Sequence, residues 1–161
     1  MRSRRFGCVE PFNDEHRLLI AADVATVWRT LTTYLARPQR GAEPFAYLLG
    51  AQPRRASRGP VAEGATLPGF RVAEAVPGRL LRLVGHHRFS RYELSYTLAP
   101  ENAGTMLGAI THAEFPGLRG TLYRGLVIGS GAHRVLVRRQ LRTVGRLASV
   151  VTDGQPQDDR R

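Results

Sequence analysis

The stretch GFRVAEAVPGRLLRLVGHHRFSRYELSYTL, residues 69–98 of a 161-residue chain, alternates its side chains with a period of two. Phe70, Val72, Glu74 and Val76 fall on one side and Arg71, Ala73 and Ala75 on the other, before Pro77-Gly78 turns the chain. Leu81, Leu83, Gly85, His87 and Phe89 then alternate with Arg82, His86 and Arg88. Past Ser90, Tyr92, Leu94, Tyr96 and Leu98 alternate with Arg91, Glu93, Ser95 and Thr97. A turn at Pro100 to Gly104 leads into Leu107, Ala109, Thr111, Ala113 and Phe115. Side chains of a strand point to opposite faces in turn, so this pattern predicts successive strands with one covered face, an antiparallel meander.

Working outward, the run HRLLIA at 16–21 has strand length, and Asp23 is placed to cap a following helix. Val24, Val27, Trp28, Leu31 and Leu35 fall on one face of that helix, and Pro38 stops it. Residues 1–14 lack periodicity and read as a flexible arm. Residues 38–68 hold several Pro and Gly, the basic cluster Arg54, Arg55 and Arg58, and a run Phe45–Leu49 that suits a short helix or a strand. Beyond Pro116-Gly117 one long helix is predicted to about Val151. Leu122, Leu126, Gly129, His133, Val137, Gln140, Leu141, Val144 and Ala148 share one stripe of it, with Arg124, Arg134, Arg138, Arg142 and Arg146 opposite. Gly125, Gly129 and Gly131 in its first half either break it into a loop or leave space beside it. Residues 152–161 read as a disordered polar tail. A strand, a helix, a meander and a terminal helix make an α+β chain, in which only that helix is long enough to cover the curved sheet.

The length suits one domain, large enough to bury about 70% of its unfolded surface without staples. A single cysteine, Cys8, excludes a disulfide framework and a zinc cluster. The basic start lacks an apolar run behind it, and no stretch nears the ~18 apolar residues of a membrane span, so a cytoplasmic protein is expected. The net charge is +11, and all 24 basic residues are arginine. Arginine forks bind phosphate and carboxylate, but a GC-rich genome writing Arg for Lys explains the same excess. Aromatic residues are not interleaved with the basic ones, which disfavours a nucleic-acid partner. The arginine face of the last helix suits solvent, or, as a minority reading, an anionic membrane surface. Val127, Ile128 and Val135 interrupt that face and allow a dimer seam, so monomer and homodimer both stay open.

The opening HRLLIAADVATVWRTL with its helical Trp28, the strands GFRVAEAVPGRLLRLVGHHRF and RYELSYTL, and the long helix after FPG resemble the START-like, or Bet v 1-like (SRPBCC), superfamily. Its bacterial members are often described as polyketide cyclase/dehydrase or lipid-transport proteins. The resemblance covers the region 15–151 in element order and texture, without a catalytic signature. It implies a helix-grip fold, a curved sheet around the C-terminal helix, with a hydrophobic cavity that takes lipids, sterols, hormones or polyketides. It carries over no catalytic residue and implies no cofactor.

Strand parity sends Arg71, Arg82, Arg88 and Arg91 to water and therefore Glu74, His87, Tyr92, Tyr96 and Thr111 inward, unless a bulge shifts the register. His133 and Gln140 face them from the helix. A few polar groups among apolar walls are the usual make-up of a ligand site. The expected ligand-binding set is Trp28, Phe70, Val72, Leu83, His87, Phe89, Tyr92, Tyr96, Thr111, Leu126, Gly129, His133 and Val137. Glu74 and His87 could act as an acid/base pair, with His133 as a further candidate, because burial moves both pKa values toward neutrality. The same groups could equally satisfy one another as buried polar side chains. Adjacent His86 and His87 face opposite sides of a strand and cannot share one ion, so no metal is expected. Gly129-Ser130-Gly131 lacks the rest of a dinucleotide loop, a chain without lysine has no P-loop, and Ile128 rules out a nucleophile elbow at Ser130. Three functions remain: a carrier of a small apolar molecule, a cyclase or dehydratase, and an interaction module using its basic surface.

Overall fold

The computed structural model describes residues 12–38, 42–88, 90–116 and 131–153. Strand β1 spans Phe12–Ile20 and is followed by helix α1, Val24–Ala36, and helix α2, Ala42–Leu49. Strands β2 (Thr66–Leu67), β3 (Phe70–Val76), β4 (Leu80–His87), β5 (Ser90–Glu101) and β6 (Gly104–Glu114) precede the terminal helix α3, Ala132–Asp153. The six strands form one antiparallel sheet in the order β1-β6-β5-β4-β3-β2. This is an α+β helix-grip: the curved sheet closes on α3, as the alternation over 69–115 predicts.

Local chemistry explains the elements. Asp23 caps α1, its carboxylate accepting from the Thr26 N–H at 2.9 Å and the Thr26 hydroxyl at 2.7 Å. Those bonds hold the Asp23 carboxyl below its ordinary value, the hydroxyl bond most of all. The Thr105 hydroxyl donates to Ala22 O at 2.8 Å and ties the entry of α1 to the start of β6. Gly78 turns β3 into β4 at φ 70°, a backbone state that favours glycine. Phe45–Leu49 lies in α2 and is helical.

The concave face is apolar over most of its area. Val72, Leu81, Leu83, Leu94, Tyr96, Leu98, Leu107 and Ala109 point to α3 and α1, and meet Val27, Leu31, Val137, Leu141, Val144 and Ala148 in one cluster. Val72, Leu81, Leu107 and Ala109 are each 0% exposed, so no water-sized void touches them. Gly145 lets α3 sit close on the sheet: a Cβ there would lie 3.1 Å from Leu18 Cδ2.

Three boundaries differ from the sequence reading. β1 starts at Phe12, so Phe12–Asp14 belong to the sheet and not to an arm. α3 includes Thr152 and Asp153, two residues assigned to the tail. Its described part begins at Ala132, after Gly131 at φ 71°, while Leu122, Arg124, Gly125, Leu126, Val127, Ile128 and Gly129 lie outside the described residues. Glu74 is the fourth correction. The β3–β4 register shifts between Val72 and Glu74, so Glu74 pairs with Arg82 and Ala75 with Leu81. The bulge turns Glu74 to the outer face, where Arg82 Nη2 lies 3.2 Å from its carboxylate, and gives the inward place to Ala75. No described helix is long and apolar enough to cross a membrane.

Candidate functional site

Register places Phe12, Asp14, His16, Leu18 and Ile20 opposite Ala113, Thr111, Ala109, Leu107 and Thr105. Since Leu107 and Ala109 are buried inward, all five β1 residues share the concave face. Asp14 and His16 are thus inward titratable groups, with side chains only 11% exposed. Parity carried back from Leu18 and Ile20 is the signal in the sequence that puts both inward, although charged residues there imitate the solvent face of a strand.

A polar row forms where α3 starts. Asp14 Oδ2 lies 2.9 Å from His16 Nε2, and Asp14 Oδ1 lies 3.6 Å from Arg134 Nε. Arg138 Nε donates to His16 Nδ1 at 3.5 Å. His133 Nε2 is 3.1 Å from the buried Thr111 hydroxyl, and its ring stands edge-on to Phe12 at 5.7 Å. Burial pushes the His133 pKa down, and His16 and Arg134 push the same way, while Asp14 opposes them. Burial thus favours the neutral ring of His133, which has one nitrogen able to donate and one to accept. Two turns further along α3, the Tyr96 hydroxyl donates to Gln140 Oε1 at 3.1 Å. Burial pushes the Tyr96 pKa far up, so that hydroxyl keeps its proton.

Beside this row lies an aromatic end of the sheet. Phe12, Ala113 and Phe115 form a small cluster with Tyr92, separate from the main core. Tyr92 stands edge-on to Phe70 at 5.0 Å and donates to Gly69 O at 2.8 Å. Its ring lies over Gly85, where a Cβ would meet Tyr92 Cε2 at 2.6 Å and Gly69 O at 2.0 Å. Glycine at 85 is thus required for the aromatic to cross the strand. His87 lies 5.4 Å from the Tyr92 ring and 3.0 Å from Ser90 Oγ. Burial, and secondarily His86, lowers its pKa.

Of the expected set, His87, Tyr92, Thr111 and His133 gather at this end; Phe70 touches Tyr92 but packs on the main core, and Tyr96 is buried in that core with its hydroxyl on Gln140. Val72, Leu83 and Val137 lie in the packed core instead, and Trp28 packs on that core from α1. Phe89, Leu126 and Gly129 lie outside the described residues. The Glu74–His87 acid/base pair does not form, because the bulge puts its two members on opposite faces of the sheet. Among the described residues no three His, Cys, Asp or Glu converge as metal ligands.

The fold, then, is that of the helix-grip class, and solved structures share it. A protein of Rhizobium leguminosarum matches with TM-score 0.57 at 13% identity, over 86% of this chain and 95% of that one. The di-domain ARO/CYC StfQ from the steffimycin biosynthetic pathway matches with TM-score 0.53 at 15% identity, over 89% of this chain and 52% of that one. The Aha1 dimer of Colwellia psychrerythraea matches with TM-score 0.53 at 15% identity, over 86% of this chain and 97% of that one. At these identities the likeness is one of fold. No protein-family model and no curated protein matches the sequence.

Proposed function

We propose that the end of the concave face bearing Phe12, Phe70, Tyr92, His87, Thr111 and His133 binds a small, largely apolar molecule with at least one hydroxyl or carbonyl group. The observation that carries this reading is the polar row Asp14, His16, Thr111 and His133 on an otherwise apolar face. Burying such groups costs free energy, and a core of this size does not need them for folding. Aromatic rings would supply affinity, and the neutral His133 and the Thr111 hydroxyl would orient the polar group. No cofactor is invoked, and the Aha1 likeness leaves a homodimer as open as a monomer. Native mass spectrometry of the purified protein tests the reading. A co-purified or titratable apolar ligand that is lost in Tyr92→Ala and retained in Glu74→Gln is expected. Absence of any such ligand overturns it.

A second reading, a cyclase or dehydratase, has one observation in its favour: the partly buried His133 stands in the same polar row as the Asp14 carboxylate. His133 would take a proton from a bound polyketone, and a carboxylate nearby would stabilise the imidazolium that forms. Product formation from a polyketone should then fall at least ~100-fold in His133→Gln. An unchanged product distribution removes the enzyme and leaves the carrier.

A further inference from the structure

The outer flank of α3 faces the β1 edge across a groove of about 1130 Å³, which with its continuation meets the polar row only at His16 and Arg138. Arg138, Arg139, Arg142 and Arg146 line one wall, and Leu18 to Ala21 the other. A second hollow of about 310 Å³ continues the groove toward Glu15 and shares Leu18, Arg138 and Arg142 with it. Two features converge there. β1 ends the strand order, so in the described sheet no strand pairs with its second side. Alternate backbone N–H and C=O groups of an edge strand point away from its partner and are open to pairing. The arginines are also largely uncompensated. Arg138 donates to His16, but no carboxylate among the described residues lies within ion-pair distance of Arg139, Arg142 or Arg146.

The occupant must be anionic, since a second copy of a +11 chain would set the same arginines against each other. It must also tolerate an apolar lining, because Leu19 is 47% and Val150 69% exposed in the groove. A bilayer surface would meet protruding groups rather than fill a groove, and a nucleic acid would find no aromatic side chain to stack on. Glu15 to Ala21 extends about 20 Å at ~3.3 Å per residue. Arg138 to Val150 covers a similar ~18 Å of helix. Both lengths match an extended segment of about six residues.

We infer that this groove docks an extended acidic segment of a partner protein, which adds a strand to β1 while its carboxylates meet the α3 arginines. Apolar side chains at the alternate positions would point to the opposite face, beside the exposed Leu19.

The test is fluorescence anisotropy of the full chain with a labelled ten-residue peptide alternating Glu and Val. Binding that weakens at least ~10-fold between about 50 and 300 mM NaCl is expected, since the pairs are exposed and screened. Arg142→Glu with Arg146→Glu should weaken it at least ~10-fold, with circular dichroism unchanged because both side chains face water. N-methylation of alternate peptide residues should abolish binding in one phase and spare it in the other, since only alternate N–H groups pair. Equal binding of both N-methylated phases overturns strand addition. Binding to phosphatidylserine vesicles but not to the peptide overturns the protein partner in favour of a membrane. No peptide binding at ~50 mM salt overturns the groove itself.

Discussion

The two halves of the concave face are built on different principles. Toward the start of β6, Leu81, Leu98 and Leu107 meet Val144, Ala148 and Leu31, and the buried Thr105 hydroxyl beside them is satisfied by Ala22 O. Toward the end of β6, the same strands present Phe12, Asp14, His16, Tyr92 and Thr111, and α3 presents His133. The strand spacing, pleat and covering helix are shared. Only the inward residues change, from aliphatic to aromatic and titratable. A fold that relied on the whole face for stability would be expected to fill both halves alike, and this contrast is what the proposed ligand end rests on.

The contrast breaks first on core truncation. Leu107→Ala, at a position with no exposure, should cost about 3–5 kcal/mol, because both transfer free energy and a cavity are lost. Phe70→Ala, at a half-buried ring, should cost only about 1–2 kcal/mol in spite of the larger side chain. Urea denaturation of both variants decides this. Equal losses would mean that the aromatic end is core like the rest.

The sequence carried the first half almost whole. Leu81, Leu83, Leu94, Leu98 and Leu107 alternate without interruption, and Val137, Leu141, Val144 and Ala148 repeat at helical spacing, so period alone located sheet, helix and shared face. The candidate site was legible in part. Tyr92, Thr111, His87 and His133 followed from parity, but at Asp14 and His16 the parity is disguised, because charged inward residues imitate the solvent face of a strand. Glu74 failed for a complementary reason. A bulge adds a residue without any change in composition, and Ala73 and Ala75 are small enough to fit either face, so nothing in FRVAEAV betrays the shift. Glu74→Gln should therefore change stability by less than about 1 kcal/mol, as expected of an exposed pair with Arg82.

Next in size come two changes at the aromatic end. Gly85→Ala should cost about 2–3 kcal/mol, because the new methyl meets backbone at Gly69 O and cannot be relieved by a rotamer. It should also displace Tyr92, which the loss of any near-ultraviolet tyrosine signal would report. Tyr92→Phe keeps the ring over Gly85 and removes only the bond to Gly69 O, so about 1 kcal/mol is expected. If the two variants were equally stable, the Tyr92 ring would not be held across the strand as described.

The smallest effect is in pH, and it separates the halves without touching the core. His133 and His87 both have pKa values pushed below the ordinary histidine range, chiefly by burial. The unfolded chain then binds more protons than the folded one between the folded values and about 6.5, and stability rises with pH across that window. Above about 6.5 both states are neutral and the contribution is complete; as pH falls through the window, it is lost. Because both rings are partly exposed, the loss is smaller than for fully buried histidines. Urea midpoints at pH 7.5 and 5.5 should therefore drop modestly in the parent chain and less in His133→Gln, which has no proton to take up. Leu107→Ala should lower both midpoints while leaving their difference unchanged, since its neighbours do not titrate. A difference that survived intact in His133→Gln and His87→Gln together would place the pH response elsewhere, and would sever the aromatic end from the histidines assigned to it.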